Sequence, residues 1–214
     1  MKKRGLFQVV TLLFSAAAFA FAYGCGDDDS AAPPENDAGV DSFVEDTAAP
    51  DVAKDTAKVN RARATLLATS LPDAGNVNGT VDFEEGANGA ITVVINVTGA
   101  KEGSHGLHIH EFGDCDDEDG GAALAAGGHW NPSDAGHGFP ESASHHPGDL
   151  GNVQVGIGGV GTKTVVVTGF SIVKGQPNNV IGKSVIFHAN TDDGTTQPTG
   201  NSGGRAGCGV IEER

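Results

Sequence analysis

From residue 62 to the C-terminus, apolar and polar residues alternate in short runs that turn-forming residues separate. Alternation with a period of two residues is typical of β-strands that bury one face. The runs cover residues 62–69, 76–85, 90–99, 106–112, 150–158, 162–170, 183–189 and 208–213. No helical periodicity comes between them. The pattern therefore predicts an all-β domain, an antiparallel sandwich or barrel of about eight strands.

One connection, residues 113–149, is much longer than the others. It shows no periodicity and is rich in Gly, Asp, His and Pro. Structureless loops of this length are uncommon in compact domains unless function or disorder accounts for them. Because this loop contains four histidines, we expect it to be functional and to be held in place.

The chain begins with a leader rather than with a strand. Residues 1–25, MKKRGLFQVVTLLFSAAAFAFAYGC, have the basic start and apolar centre of an export signal peptide. The last four residues resemble the lipobox of bacterial lipoproteins, in which the cysteine is acylated. We expect Cys25 to be lipidated and the protein to lie outside the cytoplasm, in the periplasm or cell envelope, anchored to a bacterial membrane. Plain secretion and an uncleaved membrane helix are the alternatives.

An acidic segment rich in Ala, Pro and Asp follows at residues 26–60. It has almost nothing apolar to bury, so we expect a disordered tether before a domain that spans residues 61–214. Of the formal net charge of −15, the leader contributes +3 and the tether −8, which leaves −10 for the domain. This acidity argues against nucleic acid as a partner.

All eight histidines lie between residues 105 and 188. A single surface histidine is usually inert, but a cluster indicates a metal site, because neutral imidazole binds copper and zinc. His108 and His110 alternate on one predicted strand and so project from the same face. A histidine-rich set without Cys-x-x-Cys fits copper or catalytic zinc better than a structural zinc knot.

Six motifs occur in one order at suitable spacings: GLHIHEFGDC, GGHWNP, HGFP, HHPGDLGN, VIFHANTDD and GNSGGRAGCGVI. Together they resemble the copper/zinc superoxide dismutase family over residues 62–212, essentially the whole domain. The resemblance implies a Greek-key antiparallel β-sandwich or barrel with a long metal-binding loop. It also implies a dismutase that converts superoxide to oxygen and hydrogen peroxide by alternating Cu(II) and Cu(I), with zinc supporting a bridging histidine.

Each motif carries family roles over to this chain. The implied copper ligands are His108, His110, His129 and His188. The implied zinc ligands are His129, His137, His146 and Asp149. His129 is implied to be the bridging histidine, which releases copper and takes up a proton during the cycle. Arg205 is implied to position the anion, for which its permanent charge and donor fork are suited.

The resemblance also implies roles for residues around the ligands. The family's zinc histidine lies three residues before the aspartate, which selects His146 and leaves the adjacent His145, like His105, as an ordinary solvent-facing residue. Asp192 matches a carboxylate that links a copper histidine to a zinc histidine, here His108 and His137; an exposed turn aspartate is the alternative. Two cysteines, Cys115 and Cys208, match the family's disulfide.

One departure from the eukaryotic members concerns substrate attraction. The segment of residues 189–204 looks short and contains no Lys or Arg, and residues 116–119 read DDED. We therefore expect local capture of superoxide by the metals and Arg205, and not long-range steering. The alternatives are a non-catalytic copper-binding or chaperone module, a copper-only enzyme and an adhesive sandwich. The complete ligand set and Arg205 argue against all three, and the pattern leaves the oligomeric state unknown.

Overall fold

Eight strands and one short 3₁₀ turn make up the secondary structure of a computed structural model, which describes residues 59–118 and 121–214. The elements are β1 (Arg61–Ala68), β2 (Gly75–Glu85), β3 (Ile91–Ala100), β4 (Gly103–His110), the 3₁₀ turn (Leu124–Ala126), β5 (Asp149–Val155), β6 (Gly161–Val167), β7 (Ser184–His188) and β8 (Arg205–Glu213). All eight predicted strands are present. The predicted leader, Cys25 and almost all of the predicted tether lie outside the described residues.

The strands form where branched residues alternate with polar ones. In β3, the side chains of Ile91, Val93, Ile95 and Val97 are buried, and the residues between them are partly or fully exposed. β-Branched side chains suit such a half-buried pleated surface. Within the described residues, no helix is long and apolar enough to span a membrane.

The sheet closes on itself in the order β1-β2-β3-β6-β5-β4-β7-β8, and β8 pairs with β1. All pairs are antiparallel, and the pairs β3–β6 and β4–β7 join strands that are not consecutive in the chain. The predicted all-β antiparallel barrel is therefore confirmed. Pairing between β5 and β6 is limited to Val155 and Gly161 at the hairpin end.

Two groups of apolar residues hold the barrel and its long loop together. The barrel interior contains the larger buried side chains, among them Leu66, Phe83, Ile95, Leu107, Leu150, Phe187 and Ile211. A small second cluster contains Ala123, Ala126, Ile186 and Cys208, with Cys115 packed against it. The predicted disulfide Cys115–Cys208 is present at this second cluster. The loop is thus covalently joined to β8.

The loop and three strand ends meet at one end of the barrel. β4 ends at His110, β7 ends at His188, and β8 begins at Arg205, which pairs with His188 across the ladder. His110 also forms an isolated bridge with His129 of the loop. The long loop and the segment after β7 therefore face each other over these strand ends.

Candidate metal centre

Four histidines from three parts of the chain converge in one buried group. His108 and His110 come from β4, His129 from the long loop and His188 from the end of β7. One ring nitrogen of each lies within 4.8 Å of the others, and all four side chains are buried. The structure thus brings together the four residues that the sequence predicts as copper ligands.

A second group adjoins the first and centres on Asp149, the first residue of β5. Its carboxylate lies 3.1 Å from His129 Nδ1, 3.0 Å from His137 Nδ1 and 3.3 Å from His146 Nδ1. The ligand atoms of His108, His129, His137 and Asp149 also lie within 4.8 Å of one another. We assign His146 and not His108 to this group, because His146 directs Nδ1 at the same carboxylate as the other two loop histidines.

Ring nitrogens left without partners test whether metals fit these groups. The buried nitrogens that lack a hydrogen bond are His108 Nδ1, His129 Nε2, His137 Nδ1, His146 Nδ1 and His145 Nδ1. An unsatisfied buried polar atom costs about 1–3 kcal/mol, so several at one place indicate a missing partner. Four of the five belong to the predicted ligands, and a metal ion at each group would satisfy them.

The remaining two copper-group histidines are oriented by backbone carbonyls. His110 Nδ1 lies 3.0 Å from Gly127 O, and His188 Nδ1 lies 3.1 Å from Gly203 O, so each Nδ1–H donates to a carbonyl. This leaves lone pairs on both Nε2 atoms, which face each other at 3.4 Å. Two facing lone pairs repel unless a cation lies between them, as expected of a metal site.

Asp192 connects the two groups. Its carboxylate lies 2.7 Å from His108 Nε2 and 2.9 Å from His137 Nε2, and it is almost completely buried. Asn152 fixes the Asp192 backbone by donating to its carbonyl at 2.8 Å and accepting from its amide at 2.9 Å. The neighbouring Asp193 is exposed, so the exposed-turn alternative describes Asp193 and not Asp192.

Burial keeps the histidines in the form that binds metal. Desolvation lowers the pKa of His108, His110 and His129, and it lowers the pKa of His188 to about 3. Burial alone would raise the pKa of Asp149, but its contacts with His129 and His146 outweigh this and lower it. At neutral pH these four histidines are therefore neutral and Asp149 is ionised, the protonation states of metal ligands.

Arg205 lies beside the copper group in a fixed orientation. Its Nη1 donates to Ala123 O and its Nη2 donates to Gly127 O, the carbonyl that also accepts from His110. The guanidinium is half-buried, which lowers the pKa of Arg205 without removing its charge at neutral pH. The loop thus holds a permanent positive charge near His110 and His188.

The prediction that His105 faces solvent is wrong. Its ring is buried, stacks on Phe187 at 4.9 Å, and lies 2.9 Å from both His188 O and Lys101 O. The cause is that both faces of β4 are covered from His105 to His110, so strand alternation exposes neither. His145 is likewise only half-exposed, because its Nε2 hydrogen bonds to Pro140 O.

Two residues that hold the ligands are missed by sequence reasoning. Asn152 is the last residue of the motif HHPGDLGN, so its proximity to Asp149 in the sequence could have indicated a supporting role. Gln197 lies in the segment after β7. Its side chain hydrogen bonds twice to the His137 backbone, accepting from the amide at 2.7 Å and donating to the carbonyl at 3.0 Å. Nothing in the sequence around Gln197 indicates this contact.

Similarity to known proteins agrees with the geometry. Residues 77–211 match the family model described as copper/zinc superoxide dismutase, a range that contains every predicted metal ligand. A Brassica juncea protein named Cu-Zn superoxide dismutase 2 is 38% identical over 147 residues, which cover 66% of this chain and 93% of that protein. The chain therefore belongs to the copper/zinc superoxide dismutase family, and it is an oxidoreductase that acts on superoxide with copper and zinc as cofactors.

Proposed function

We propose that dismutation takes place at the four-histidine group, with the second group holding zinc beside it. Copper would be held by His108 Nδ1, His110 Nε2, His129 Nε2 and His188 Nε2. Zinc would be held by His129 Nδ1, His137 Nδ1, His146 Nδ1 and Asp149. The observation that carries this assignment is shared by four histidines. His108, His110, His137 and His188 each hydrogen bond through one ring nitrogen to a protein oxygen outside the two groups and direct the other ring nitrogen into a group.

Bound copper supplies a one-electron couple that oxidises one superoxide to oxygen and reduces a second one, which leaves with two protons as hydrogen peroxide. The protein's share is to bind the anion and keep the ligands in place. Arg205 provides the positive charge for the anion, and its two loop carbonyls prevent the guanidinium from turning away. The Gly127 and Gly203 carbonyls keep Nε2 of His110 and His188 free of protons.

His129 is suited to carry one of the two protons. Its Nδ1 lies 3.1 Å from Asp149 Oδ1, which keeps the ring oriented, and its Nε2 has no hydrogen-bond partner. A proton taken up at Nε2 therefore stays within the copper group, close to where the peroxide forms.

Metal content of the reconstituted full chain tests the assignment. Two adjacent histidines provide a matched pair, because only His146 faces Asp149. We expect His146→Gln to lose zinc and keep copper, His188→Gln to lose copper and keep zinc, and His145→Gln to keep about one of each. Equal metal content in the His145 and His146 variants would show that the zinc assignment is wrong.

We also propose that the protein is attached to a bacterial cell envelope through a lipid on Cys25. Support comes from the basic and apolar leader and from the cysteine that ends it. Cys25→Ser should move the protein from the membrane to the soluble fraction after expression in a bacterial host. Membrane retention with an uncleaved leader would favour the helix alternative.

A further inference from the structure

An open seam lies between β5 and β6. These strands pair at one residue pair, Val155 with Gly161, whereas β6 pairs with β3 along its whole length and β5 pairs with β4. Away from the hairpin end, the two strands therefore lack the ladder that usually fixes neighbouring strands. The start of β5, which carries Asp149, lies along this seam.

A lysine occupies the inward side of β6 at the seam. Residues 161, 165 and 167 point towards the core in the alternation of β6, and Lys163 falls in phase with them while residues 162, 164 and 166 are exposed. A lysine among inward-facing valines is costly unless its amine finds a partner. Burial lowers the pKa of Lys163, and the nearby carboxylates of Glu141 and Asp192 oppose this.

The partner of this amine is the backbone at the start of β5. Lys163 Nζ donates to Leu150 O at 2.7 Å. It lies over Gly151, where a Cβ would be 2.8 Å from Nζ, so a residue with a side chain at 151 would displace the amine. Gly151 also has a φ of +75°, which favours glycine for a second reason.

Leu150 directly follows Asp149, whose carboxylate contacts the rings of three histidines. The same carboxylate accepts from the backbone amides of His146 at 2.9 Å and Gly138 at 3.2 Å. A movement of the Asp149 backbone would therefore disturb the contacts of its carboxylate with the three histidines and the two amides. The Leu150 carbonyl belongs to the next peptide, between Leu150 and Gly151, so the bond from Lys163 restrains the backbone one residue after Asp149.

We propose that Lys163 is a positioning residue for the zinc group: it crosses the open seam and holds Leu150, and with it Asp149, in place. This inference rests on the zinc assignment proposed above. Lys163 lies on β6, a strand that contributes no ligand. Its charged side chain would therefore support the second group from outside the long loop.

Zinc affinity of the full chain tests the inference, measured by competition with a chelator. We expect Lys163→Met to lower zinc affinity about 10- to 100-fold, the usual cost of removing an outer support of a ligand. Copper content should stay unchanged. With Co²⁺ in the zinc position, the visible absorption bands should shift, since they report ligand geometry. Lys163→Arg keeps the charge and donors and should recover most of the affinity.

Two control variants separate the possible outcomes. Lys174→Met removes the same charge from an exposed position and should leave zinc affinity and the cobalt spectrum unchanged. Asp149→Asn should lose zinc if the proposed assignment is right. If Asp149→Asn loses zinc while Lys163→Met binds it like the parent with the same cobalt spectrum, the role of Lys163 is refuted and the assignment stands. If Asp149→Asn keeps zinc, the assignment itself fails.

Folding of the variant is checked separately. Thermal unfolding of the metal-free chain shows whether Lys163→Met folds, and Lys163→Gln, which keeps a shorter donor, replaces it if it does not. Weaker zinc binding in a variant whose metal-free unfolding temperature matches the parent supports positioning. A lower metal-free unfolding temperature with unchanged zinc affinity assigns Lys163 to general stability and overturns the proposal.

Discussion

At the scale of single residues, Gly200 shows how closely the backbone approaches the centre. It has a φ of +61°, and a Cβ there would overlap Asp192 Oδ1 and crowd His137 Nε2. Only glycine lets the segment after β7 pass over the carboxylate that joins the two groups. The carboxylate is thereby sealed from water, which strengthens its hydrogen bonds to His108 and His137.

Arg205 leads to a prediction about catalysis. Arg205→Ala removes the fixed positive charge beside the copper group, so superoxide consumption should fall at least about ten-fold while copper and zinc contents stay unchanged. Arg205→Lys keeps the charge but lacks the two donor nitrogens that hold Arg205 to Ala123 O and Gly127 O, and should give an intermediate rate. Arg214→Ala, at the exposed C-terminus, is the charge-matched control. An unaltered rate in Arg205→Ala would remove the role proposed for Arg205.

The buried histidines predict how the metal-free chain responds to acid. The folded-state pKa of His188, about 3, lies below the value of about 6.5 in an unfolded chain, so acid protonates the unfolded chain first. Stability should therefore fall as the pH drops below about 6.5, by up to about 1.4 kcal/mol per pH unit for each such histidine. Unfolding of the metal-free chain by urea at pH 7.5, 6.0 and 5.0 measures this. His188→Gln should show a shallower dependence, and equal slopes would contradict the prediction.

The ligands could be predicted from the motifs. The residues that support the ligands could not, because they depend on contacts between distant parts of the chain. Every predicted ligand lies in one of the two groups, and each is a histidine or aspartate within one of five of the six motifs. The prediction for His105 is wrong because its environment depends on Phe187 and the His188 carbonyl, which are distant in sequence. Lys163 was missed although its phase with Val165 and Val167 was visible in the strand pattern.

At the scale of elements, the disulfide joins the loop to β8 next to the residues that hold Arg205. Cys115 and Cys208 are 93 residues apart and pack with Ala123, whose carbonyl accepts from Arg205. Replacing both cysteines by serine should lower the free energy of unfolding by about 2–5 kcal/mol. Superoxide consumption should also fall at unchanged metal content, because the Ala123 carbonyl loses its anchor.

Denaturant unfolding and a dismutase assay on the double serine variant measure both effects. Treatment with a reductant is the control, since it should weaken the parent and leave the variant unchanged. Unfolding energies that agree within 0.5 kcal/mol, about the scatter of surface substitutions, would contradict the prediction.

Strand positions were predictable from alternation, but the seam between β5 and β6 was not. The residues of β6 alternate as those of paired strands do, yet β6 pairs with β5 only at Val155 and Gly161, and Lys163 reaches Leu150 O across the remaining gap. Alternation reports which face is buried and carries no information about which neighbour pairs. The closing pair of β1 and β8 was beyond prediction for the same reason.

At the scale of the whole molecule, charge predicts the response of the enzyme to salt. Residues 61–214 carry a net charge of −10, and the segment of residues 189–204 contains no Lys or Arg. Superoxide is an anion, so long-range repulsion should slow its approach, and salt should screen that repulsion. The rate constant for superoxide consumption should therefore rise with ionic strength.

Rates measured between about 10 and 200 mM salt test this, since the Debye length shortens from about 30 to below 10 Å over that range. Thr199→Lys places a cation on the segment after β7 and should weaken or reverse the dependence. A rate that falls with salt in the parent would show that attraction dominates despite the net charge.

The pairing of β1 with β8 also determines when the domain can form during synthesis. Ala62 pairs with Glu213, so the first strand remains without one of its two neighbours until the residues of β8 have left the ribosome. The Cys115–Cys208 bond waits for the same strand. Contacts between such distant residues fold slowly, because the chain must close a long loop before they form. A nascent chain therefore cannot close the barrel until β8 has been made, although seven of the eight strands are already available.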